Sequence, residues 1–234
     1  ISLGPMSDAP DVRELALAVD IGGTKMAVGL VDRRGTLIDR ESVRTDRDKR
    51  ANDLFESLGA LIVRQIQRGV ERHGSRIAVV GIGSAGPIEP DCESISPINI
   101  PAWQRFPLRE AVADVVRQAV GSPVPVFGDL DAKAFALAEG WLGAARGVSN
   151  FIGMVVSTGI GGGIVVDGQL LDGATGNAGH IGSELNVLHG RQAMAEEIRR
   201  FSNQSEAESF IRFCEWLERL YKAEMSSFID TNFD

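Results

Sequence analysis

The chain has 234 residues, of which 44% are apolar and 24% charged, and these proportions are typical of soluble globular proteins. The net charge of −8 argues against a broad nucleic-acid-binding surface. No apolar run approaches the roughly 18–20 residues that a membrane helix needs. Two cysteines, Cys92 and Cys214, are too few for a disulfide framework or a cysteine-rich zinc site. The composition therefore predicts a cytoplasmic enzyme with no nucleic-acid or membrane partner.

Short apolar runs alternate with longer stretches in which apolar residues recur at helical spacing. The segment 54–73 has apolar residues at 54, 55, 58, 61, 62 and 66, which is the period of an amphipathic helix. Strands are predicted at 15–20, 26–32, 37–45, 77–83, 125–127, 151–157 and 164–167, and helices at 54–73, 108–120 and 131–142. This alternation predicts an α/β protein in which helices cover sheets.

Two glycine-rich segments each follow a predicted strand and precede another. The first is Asp-Ile-Gly-Gly-Thr-Lys at 20–25 and the second is Ser-Thr-Gly-Ile-Gly-Gly-Gly at 157–163. A strand, a glycine turn and a returning strand form a hairpin whose backbone N–H groups can face an anion. Neither segment reads G-x-x-x-x-G-K-[ST] or clearly leads into a helix, which disfavours a P-loop and a dinucleotide-binding fingerprint. The pair predicts two lobes that close on one polyphosphate, as in ATP chemistry.

The last part of the chain differs in composition. All 27 glycines lie at or before residue 190, and proline is absent beyond it. Apolar residues recur at 210, 213, 214, 217, 220, 221, 225 and 228, as on one face of a long helix. This helix is expected to pack on the body of the protein or on another subunit, because its glutamates do not suit a membrane surface.

Six motifs, taken in chain order, resemble those of the ROK family of sugar kinases and related repressors. Besides 20–25 and 157–163 they are Gly-Ile-Gly-Ser-Ala-Gly-Pro at 81–87, Asn-Ile-Pro-Ala-Trp at 99–103, Gly-Asp-Leu-Asp-Ala at 128–132 and Gly-Asn-Ala-Gly-His-Ile-Gly at 176–182. The resemblance covers about 15–182 and implies an actin/hexokinase-like, ribonuclease H-like ATPase fold. Repressors of the family carry a helix-turn-helix before the first strand. Too few residues precede Leu15 for one, so the kinase branch is expected.

The resemblance implies a site for ATP and Mg²⁺ at the two glycine-rich segments. Asp20 would hold the hydrated Mg²⁺ beside the phosphates, and the glycines would let backbone N–H groups approach phosphate because no Cβ intervenes. Lys25 would add a positive charge, or would be a solvated turn lysine. The expected phosphate-binding residues are Gly22, Gly23, Thr24 and Lys25 in the first segment and Thr158, Gly159, Gly161 and Gly162 in the second.

The resemblance makes Asp131 the expected catalytic base, which would accept the proton of the attacking sugar hydroxyl. The family usually reads Asn-Asp-Ala-Asn at this place, whereas 130–133 here read Leu-Asp-Ala-Lys. The aspartate is kept, but both flanking amides are replaced. Asp129 is the competing carboxylate, and a helix N-cap is the alternative role for Asp131.

Three further residues, Gly86, Asn99 and His180, are expected to contact the sugar together with Asp131. The amide of Asn99 can both donate to and accept from vicinal hydroxyls. His180 lies where the family often has a glutamate near the anomeric end of the sugar, and a purely structural histidine is the alternative. Trp103 either lines this site or belongs to the core.

The sequence departs from the family after the last motif. The family continues with a second histidine and a cysteine-rich segment that bind a structural zinc, whereas Ser183 replaces that histidine and no cysteine cluster follows. Since a structural zinc site needs four ligands, no zinc is expected. The adenine-binding part of the second lobe is not found either. Instead, 185–234 faintly resembles a substrate-side segment of bacterial phytoene desaturases, without their flavin-binding motif.

The expected organisation has four parts, with Met6 as the natural start. These are a tag remnant and flexible N-terminus at 1–11, a first ATPase lobe at 12–130, a partial second lobe at 131–184 and a helical tail of different origin at 185–234. The predicted function is ATP-dependent phosphorylation of a hexose or an N-acylhexosamine. The alternative is a catalytically silent, truncated or fused ROK protein that binds sugar or another subunit. Dimers are common in the family, which makes a homodimer a possible assembly.

Overall fold

The structure of the protein is a computed structural model. It describes residues 13–156, 159–173 and 175–183, together with Glu208, Arg212 and Glu215, which are helical. The rest of the predicted tail helix lies outside the described residues. Within the described part of the chain, no helix is both long and apolar enough to cross a membrane.

The chain divides into two compact units. Unit 1 comprises Ile1–Ala134 and Asp172–Asn177, and unit 2 comprises Phe135–Leu171 and Ala178–Asp234. A short segment of the chain, Asp172–Asn177, therefore belongs to unit 1 although the residues before and after it belong to unit 2. The lobes predicted at 12–130 and 131–184 stay a prediction.

Unit 1 is built on a five-stranded sheet with the order β3-β2-β1-β4-β5. The strands are β1 (Arg13–Ile21), β2 (Lys25–Val31), β3 (Leu37–Arg44), β4 (Ser75–Ser84) and β5 (Val126–Leu130). β1, β2 and β3 form antiparallel pairs, whereas β4 runs parallel to both β1 and β5. The carboxyl ends of β1, β4 and β5 consequently meet at one edge of the sheet.

Two helices, α1 (Ala51–His73) and α2 (Leu108–Val120), pack against one another and against this sheet. Leu54, Leu58 and Leu61 of α1 are fully buried, as the helical period of the sequence predicts. α1 ends at Gly74, whose φ of 57° gives a left-handed C-cap that glycine adopts without a steric penalty. The apolar core lies between the helices and the face of β1 that carries Leu15, Leu17, Val19 and Ile21.

Unit 2 contains most of α3 (Asp131–Trp141) and a second sheet. The strands of this sheet are β6 (Phe151–Val156), β7 (Gly159–Val166), β8 (Gln169–Leu170) and β9 (His180–Ser183). β7 is the central strand and pairs antiparallel with each of the other three.

The prediction of a glycine turn across 157–163 is wrong in its extent. Gly161, Gly162 and Gly163 lie inside β7, where they pair with Val155, Met154 and Gly153 of β6. A side chain at Gly153 would lie 2.8 Å from the Cα of Ala136. The glycines of this hairpin therefore lie in paired strands, where their lack of a side chain lets a helix and two strands approach closely.

Two smaller differences concern element ends. α1 begins at Ala51 instead of 54, because its first turn is polar and carries no apolar period. β5 continues to Leu130 instead of ending at 127, since Gly128 and Asp129 pair with Ile82 and Gly83 of β4. The extension matters because it places Asp129 on the sheet.

Gln65 is a polar residue in the core of unit 1. Its side chain is fully buried, and neither its Nε2 nor its Oε1 has a hydrogen-bond partner among the described residues. A buried amide without partners costs about 1–3 kcal/mol of stability.

We therefore expect Gln65→Met to raise the free energy of unfolding of unit 1 by about 1–3 kcal/mol, measured by urea denaturation. Gln67→Met, at an exposed position of the same helix, is the matched control and should change little.

Candidate active site

The candidate residues of unit 1 follow the carboxyl ends of three neighbouring parallel strands. The Gly22–Thr24 turn follows β1, the segment 85–87 follows β4, and Asp131 follows β5 as the first residue of α3. In open α/β sheets, ligands bind outside the carboxyl ends of the strands. The predicted start of α3 at residue 131 is confirmed.

The Gly22–Thr24 turn is held by the segment that follows β3. The Thr45 hydroxyl donates to the Gly22 carbonyl oxygen at 2.7 Å, and the Thr45 N–H donates to the Thr24 carbonyl oxygen at 2.9 Å. The Nε of Arg47 donates to the Gly23 carbonyl oxygen at 3.2 Å. Since all three carbonyl groups are tied to this segment, the peptide planes of the turn are fixed before any ligand binds.

Gly86 and Asn99 lie beside Gly23 of this turn. A Cβ on Gly23 would come within 2.4 Å of the Asn99 Cβ, so only glycine lets the two segments approach this closely. The Ile98 N–H donates to the Gly86 carbonyl oxygen at 3.3 Å, and the Ala85 N–H donates to the Ile21 carbonyl oxygen at 3.0 Å. The structure thus brings together two of the predicted sugar-binding residues and one predicted phosphate-binding glycine.

Three carboxylates surround Gly83 on β4. Asp20 of β1 and Asp129 of β5 both pair with Gly83 in register, which places their backbones roughly 10 Å apart. A Cβ on Gly83 would lie 3.5 Å from the Cα of Asp131. The missing side chain of Gly83 therefore leaves room for α3 to begin directly over the sheet.

The Asp20 carboxyl group has a raised pKa. Desolvation by the surrounding protein is the main cause, and the negative charge of Asp131 is the second. The positive charges of Lys25 and Arg40 oppose this shift. Asp20 and Asp131 are therefore close enough to repel one another electrostatically.

Asp129 and Asp131 differ in their partners. Asp129 forms an ion pair with the ammonium group of Lys133 at 3.2 Å, and its Oδ1 accepts the Leu130 N–H at 2.8 Å. Asp131 accepts the Ala132 N–H at 2.7 Å and forms no ion pair with any described residue. Burial raises the pKa of Asp129, while Leu130 and Lys133 oppose that shift. Of the two carboxylates, Asp131 is the one without a cation.

Arg40 was missed by the sequence analysis. In the register of β2 and β3, Lys25 pairs with Arg44 and Gly29 pairs with Arg40, which places all three cations on the sheet face of Asp20. All three are exposed. The only signal in the sequence is the alternation of Arg40, Ser42 and Arg44 along β3, and it becomes informative once the register is known.

The remaining predicted site residues belong to the segment 158–162 and to His180. Thr158 lies outside the described residues. Gly159 begins β7, and His180 begins β9 opposite Gly161. The Gly162 N–H donates to the Gly179 carbonyl oxygen at 2.8 Å, so this amide could reach a phosphate only after that bond breaks. The roles predicted for these residues stay predictions.

Trp103 belongs to the core of unit 1. Its side chain is fully buried, its Nε1 donates to the Ala51 carbonyl oxygen at 3.1 Å, and its ring stacks on Phe106 at 4.8 Å. Of the two roles considered for it, the structure shows the structural one.

Metal-binding side chains do not cluster in the described part of the chain. No group of three or more histidine, cysteine, aspartate or glutamate side chains is arranged there to hold a metal ion. The expectation that zinc is absent stays a prediction, because residues 184–207 are not among those described.

Comparison with known proteins identifies the family. The profile of the ROK family matches residues 16–193, which is most of the chain. The chain belongs to the ROK family. The predicted actin/hexokinase-like fold is confirmed by the structures of ROK kinases that it matches.

Curated relatives and solved structures agree with this assignment. A glucokinase of Halalkalibacterium halodurans is 33% identical over 174 residues, which is 71% of this chain and 48% of the relative. An N-acetylmannosamine kinase of Escherichia fergusonii is 32% identical over 174 residues, or 74% of this chain and 55% of the relative. The chain spans about half the length of these curated relatives.

Two crystal structures resemble the fold. A ROK family glucokinase from Streptomyces griseus, in complex with glucose and AMPPNP, matches 72% of this chain and 49% of its own with a TM-score of 0.60 at 32% identity. A ROK hexokinase from Thermus thermophilus matches 92% of this chain and 78% of its own with a TM-score of 0.60 at 27% identity. Neither the family match, which ends at 193, nor these structures test the desaturase likeness of the tail.

The contact between Gly23 and Asn99 leads to a stability prediction for this ROK protein. Gly23→Ala should lower the free energy of unfolding of unit 1 by about 1–3 kcal/mol, because the new Cβ overpacks against Asn99. Gly81→Ala is the matched control, since a Cβ there meets nothing within 4 Å and should be neutral or slightly stabilising. Urea denaturation of both variants checks this. Equal stability of the two would contradict the close approach of Gly23 and Asn99.

The coupling of the carboxylates leads to a titration prediction. Asp131→Asn should lower the pKa of Asp20 towards the ordinary value of 3.8, because a neighbouring negative charge is removed. Arg40→Gln should raise it further, because a neighbouring positive charge is lost. Carbon-13 NMR of the aspartate carboxyl groups measures both changes. Asp114→Asn, at an exposed position of α2, is the control, and an Asp20 titration that moves in none of the variants would refute the coupling.

Proposed function

We propose that this protein transfers the terminal phosphoryl group of ATP to a hydroxyl group of a hexose or an N-acylhexosamine. The observation that carries the proposal is the position of Asp131, a carboxylate without a cation partner among the described residues. It follows β5 at the same sheet edge as the Gly22–Thr24 turn and is electrostatically coupled to Asp20. A turn with fixed peptide planes next to a free carboxylate suits phosphoryl transfer, which depends mainly on positioning and charge neutralisation.

Asp131 acts as the base in this proposal. The sugar hydroxyl oxygen attacks the γ-phosphorus of ATP, and the carboxylate of Asp131 accepts the hydroxyl proton as the new O–P bond forms. The bond between the γ-phosphorus and the bridging β–γ oxygen breaks, and ADP leaves with that oxygen. Asp129 is less suited to this step because its carboxylate is paired with Lys133.

The residues around Asp20 fit a magnesium ion bound with the phosphates. Mg²⁺ is usually held by one or two carboxylates, several waters and the substrate phosphates, and Asp20 is an accessible carboxylate beside the turn. The ion, when bound, neutralises charge on the phosphates. Lys25 and Arg40 lie near Asp20 and supply further positive charge for the phosphates.

Asn99 and Gly86 would contact the sugar on the same side of unit 1. Asn99 is half-buried, and its amide can donate to one hydroxyl and accept from the next. The relatives named glucokinase and N-acetylmannosamine kinase support a hexose or an N-acylhexosamine as the acceptor. The AMPPNP in the Streptomyces griseus structure supports ATP as the donor.

Asp131→Asn tests this function. The protein should release ADP from Mg-ATP only when an acceptor from a panel of hexoses and N-acetylhexosamines is present. Asp131→Asn should lower kcat by about 10²–10⁴-fold, as expected for loss of a general base. Asp114→Asn removes a carboxylate from the exposed side of α2 and should leave kcat unchanged.

A catalytically silent sugar-binding or subunit-interaction protein is the second candidate. Large apolar side chains of unit 2 are exposed to solvent, including Trp141 at 52% and Ile152 at 65%, and such surface favours association. Sugar binding without ADP release by a folded protein would support this candidate and refute the kinase. Sugar-dependent ADP release that Asp131→Asn abolishes would refute the silent candidate.

A further inference from the structure

Lys133 is the one fully buried cation among the described residues, with an exposed fraction of 0%. It lies in the first turn of α3, two residues after Asp131. An ammonium group can be buried only when carboxylates and hydrogen-bond acceptors replace its water. The partners of Lys133 therefore indicate what this charge does in the fold.

All the partners of the ammonium group lie in unit 1. Its Nζ is 3.0 Å from the Oδ1 of Asp172, 2.8 Å from the Gly176 carbonyl oxygen and 3.2 Å from the Oδ1 of Asp129. An ammonium group has three N–H donors, so these three acceptors satisfy it completely. Two of the three belong to the segment Asp172–Asn177, which we call the strap.

The strap is fastened at a second point by Asn177. The Oδ1 of Asn177 accepts the Ile88 N–H at 3.0 Å, and its Nδ2 donates to the Ile88 carbonyl oxygen at 2.8 Å. Gly176, whose carbonyl oxygen is bound by Lys133, lies next to Pro90 and has a φ of 78°. The side-chain amide of Asn177 thus bonds both the N–H and the carbonyl group of Ile88, as the backbone of a neighbouring β-strand would.

Ile88 connects the strap to the candidate sugar-binding residues. It follows Gly86 and Pro87, whose carbonyl oxygens accept the N–H groups of Ile98 and Ser96. Asn99 is the next residue after Ile98. A continuous series of contacts therefore runs from Lys133, through the strap and Ile88, to Gly86 and Asn99.

We propose that Lys133 is a positioning residue, which docks the strap on unit 1 and thereby holds Gly86 and Asn99 in place relative to Asp131. This proposal rests on the proposed function for its effect on catalysis, but the docking itself does not. Lys133 makes no contact with Asp131 in the described set of hydrogen bonds and ion pairs, so it acts through the strap and α3. Its loss should weaken sugar binding more than ATP binding.

Hydrogen exchange tests the docking without any measurement of activity. The Ile88 N–H is protected by Asn177, so Lys133→Met should speed exchange at Ile88 and in the strap by at least about tenfold, through local opening. Exchange in the middle of α1 should not change. Lys49→Met removes an exposed lysine whose ammonium bonds Ser57, and it should change neither region.

Asp172→Asn provides the second variant, in case Lys133→Met does not fold. The Asp172 side chain is 70% exposed, so its replacement by the isosteric amide leaves the core unchanged. Its weaker bond to Lys133 should still speed exchange in the strap, and by less than Lys133→Met does. If exchange at Ile88 and in the strap is unchanged in both variants, or rises equally throughout unit 1, the proposal is wrong.

Steady-state kinetics tests the consequence for the site. In Lys133→Met the KM for the sugar should rise by at least about fivefold while the KM for ATP stays the same. Arginine at this position keeps the charge, and Lys133→Arg should restore part of the sugar affinity. A merely destabilised protein would lose kcat with both KM values unchanged, which would overturn the positioning role. A wild-type protein with no kinase activity would refute the proposed function and leave the exchange result to decide the docking.

Discussion

The parallel pairing of β1, β4 and β5 is the constraint on which the candidate site depends. Because three neighbouring strands run in the same direction, each chain segment that leaves the sheet does so at the same edge. The Gly22–Thr24 turn, the segment 85–87 and α3 are therefore neighbours although they are far apart in sequence. A slip of one residue in either pairing would turn Asp20 or Asp129 to the opposite face, and the arrangement of carboxylates would be lost.

Among the described residues, the charges at this edge are arranged so that one carboxylate has no cation partner. Asp129 is paired with Lys133, and Asp20 is partly offset by Lys25 and Arg40. Asp131 lies over Gly83, between the strands of Asp20 and Asp129, and its negative charge repels that of Asp20. Such crowding of carboxylates is unfavourable by itself and is typical of functional sites, and the Mg²⁺ ion of the proposed function would offset it.

The sequence predicts the parts of this site that follow from local rules. The glycine turn after β1 and the start of α3 at Asp131 are found in this way, because a turn needs glycine and a run rich in alanine and leucine behind an aspartate favours the start of a helix. The register that places Arg40 on the same sheet face as Asp20 is not local, since it depends on which residue of β3 opposes Gly29. The prediction of a glycine turn across 157–163 is wrong in its extent for a similar reason. Glycine is permissive in both turns and strands, and only the pairing with β6 decides between them.

The burial of a lysine at 133 has a physical consequence for its neighbours. An amide is neutral and could be buried with backbone partners alone, whereas a buried ammonium group requires at least one carboxylate. Asp129 and Asp172 supply that charge from two separate segments. Lys133, Asp129 and Asp172 therefore form a set whose members depend on each other. Because Lys133 pairs with Asp129 and no cation among the described residues pairs with Asp131, this arrangement is compatible with the proposed base at Asp131.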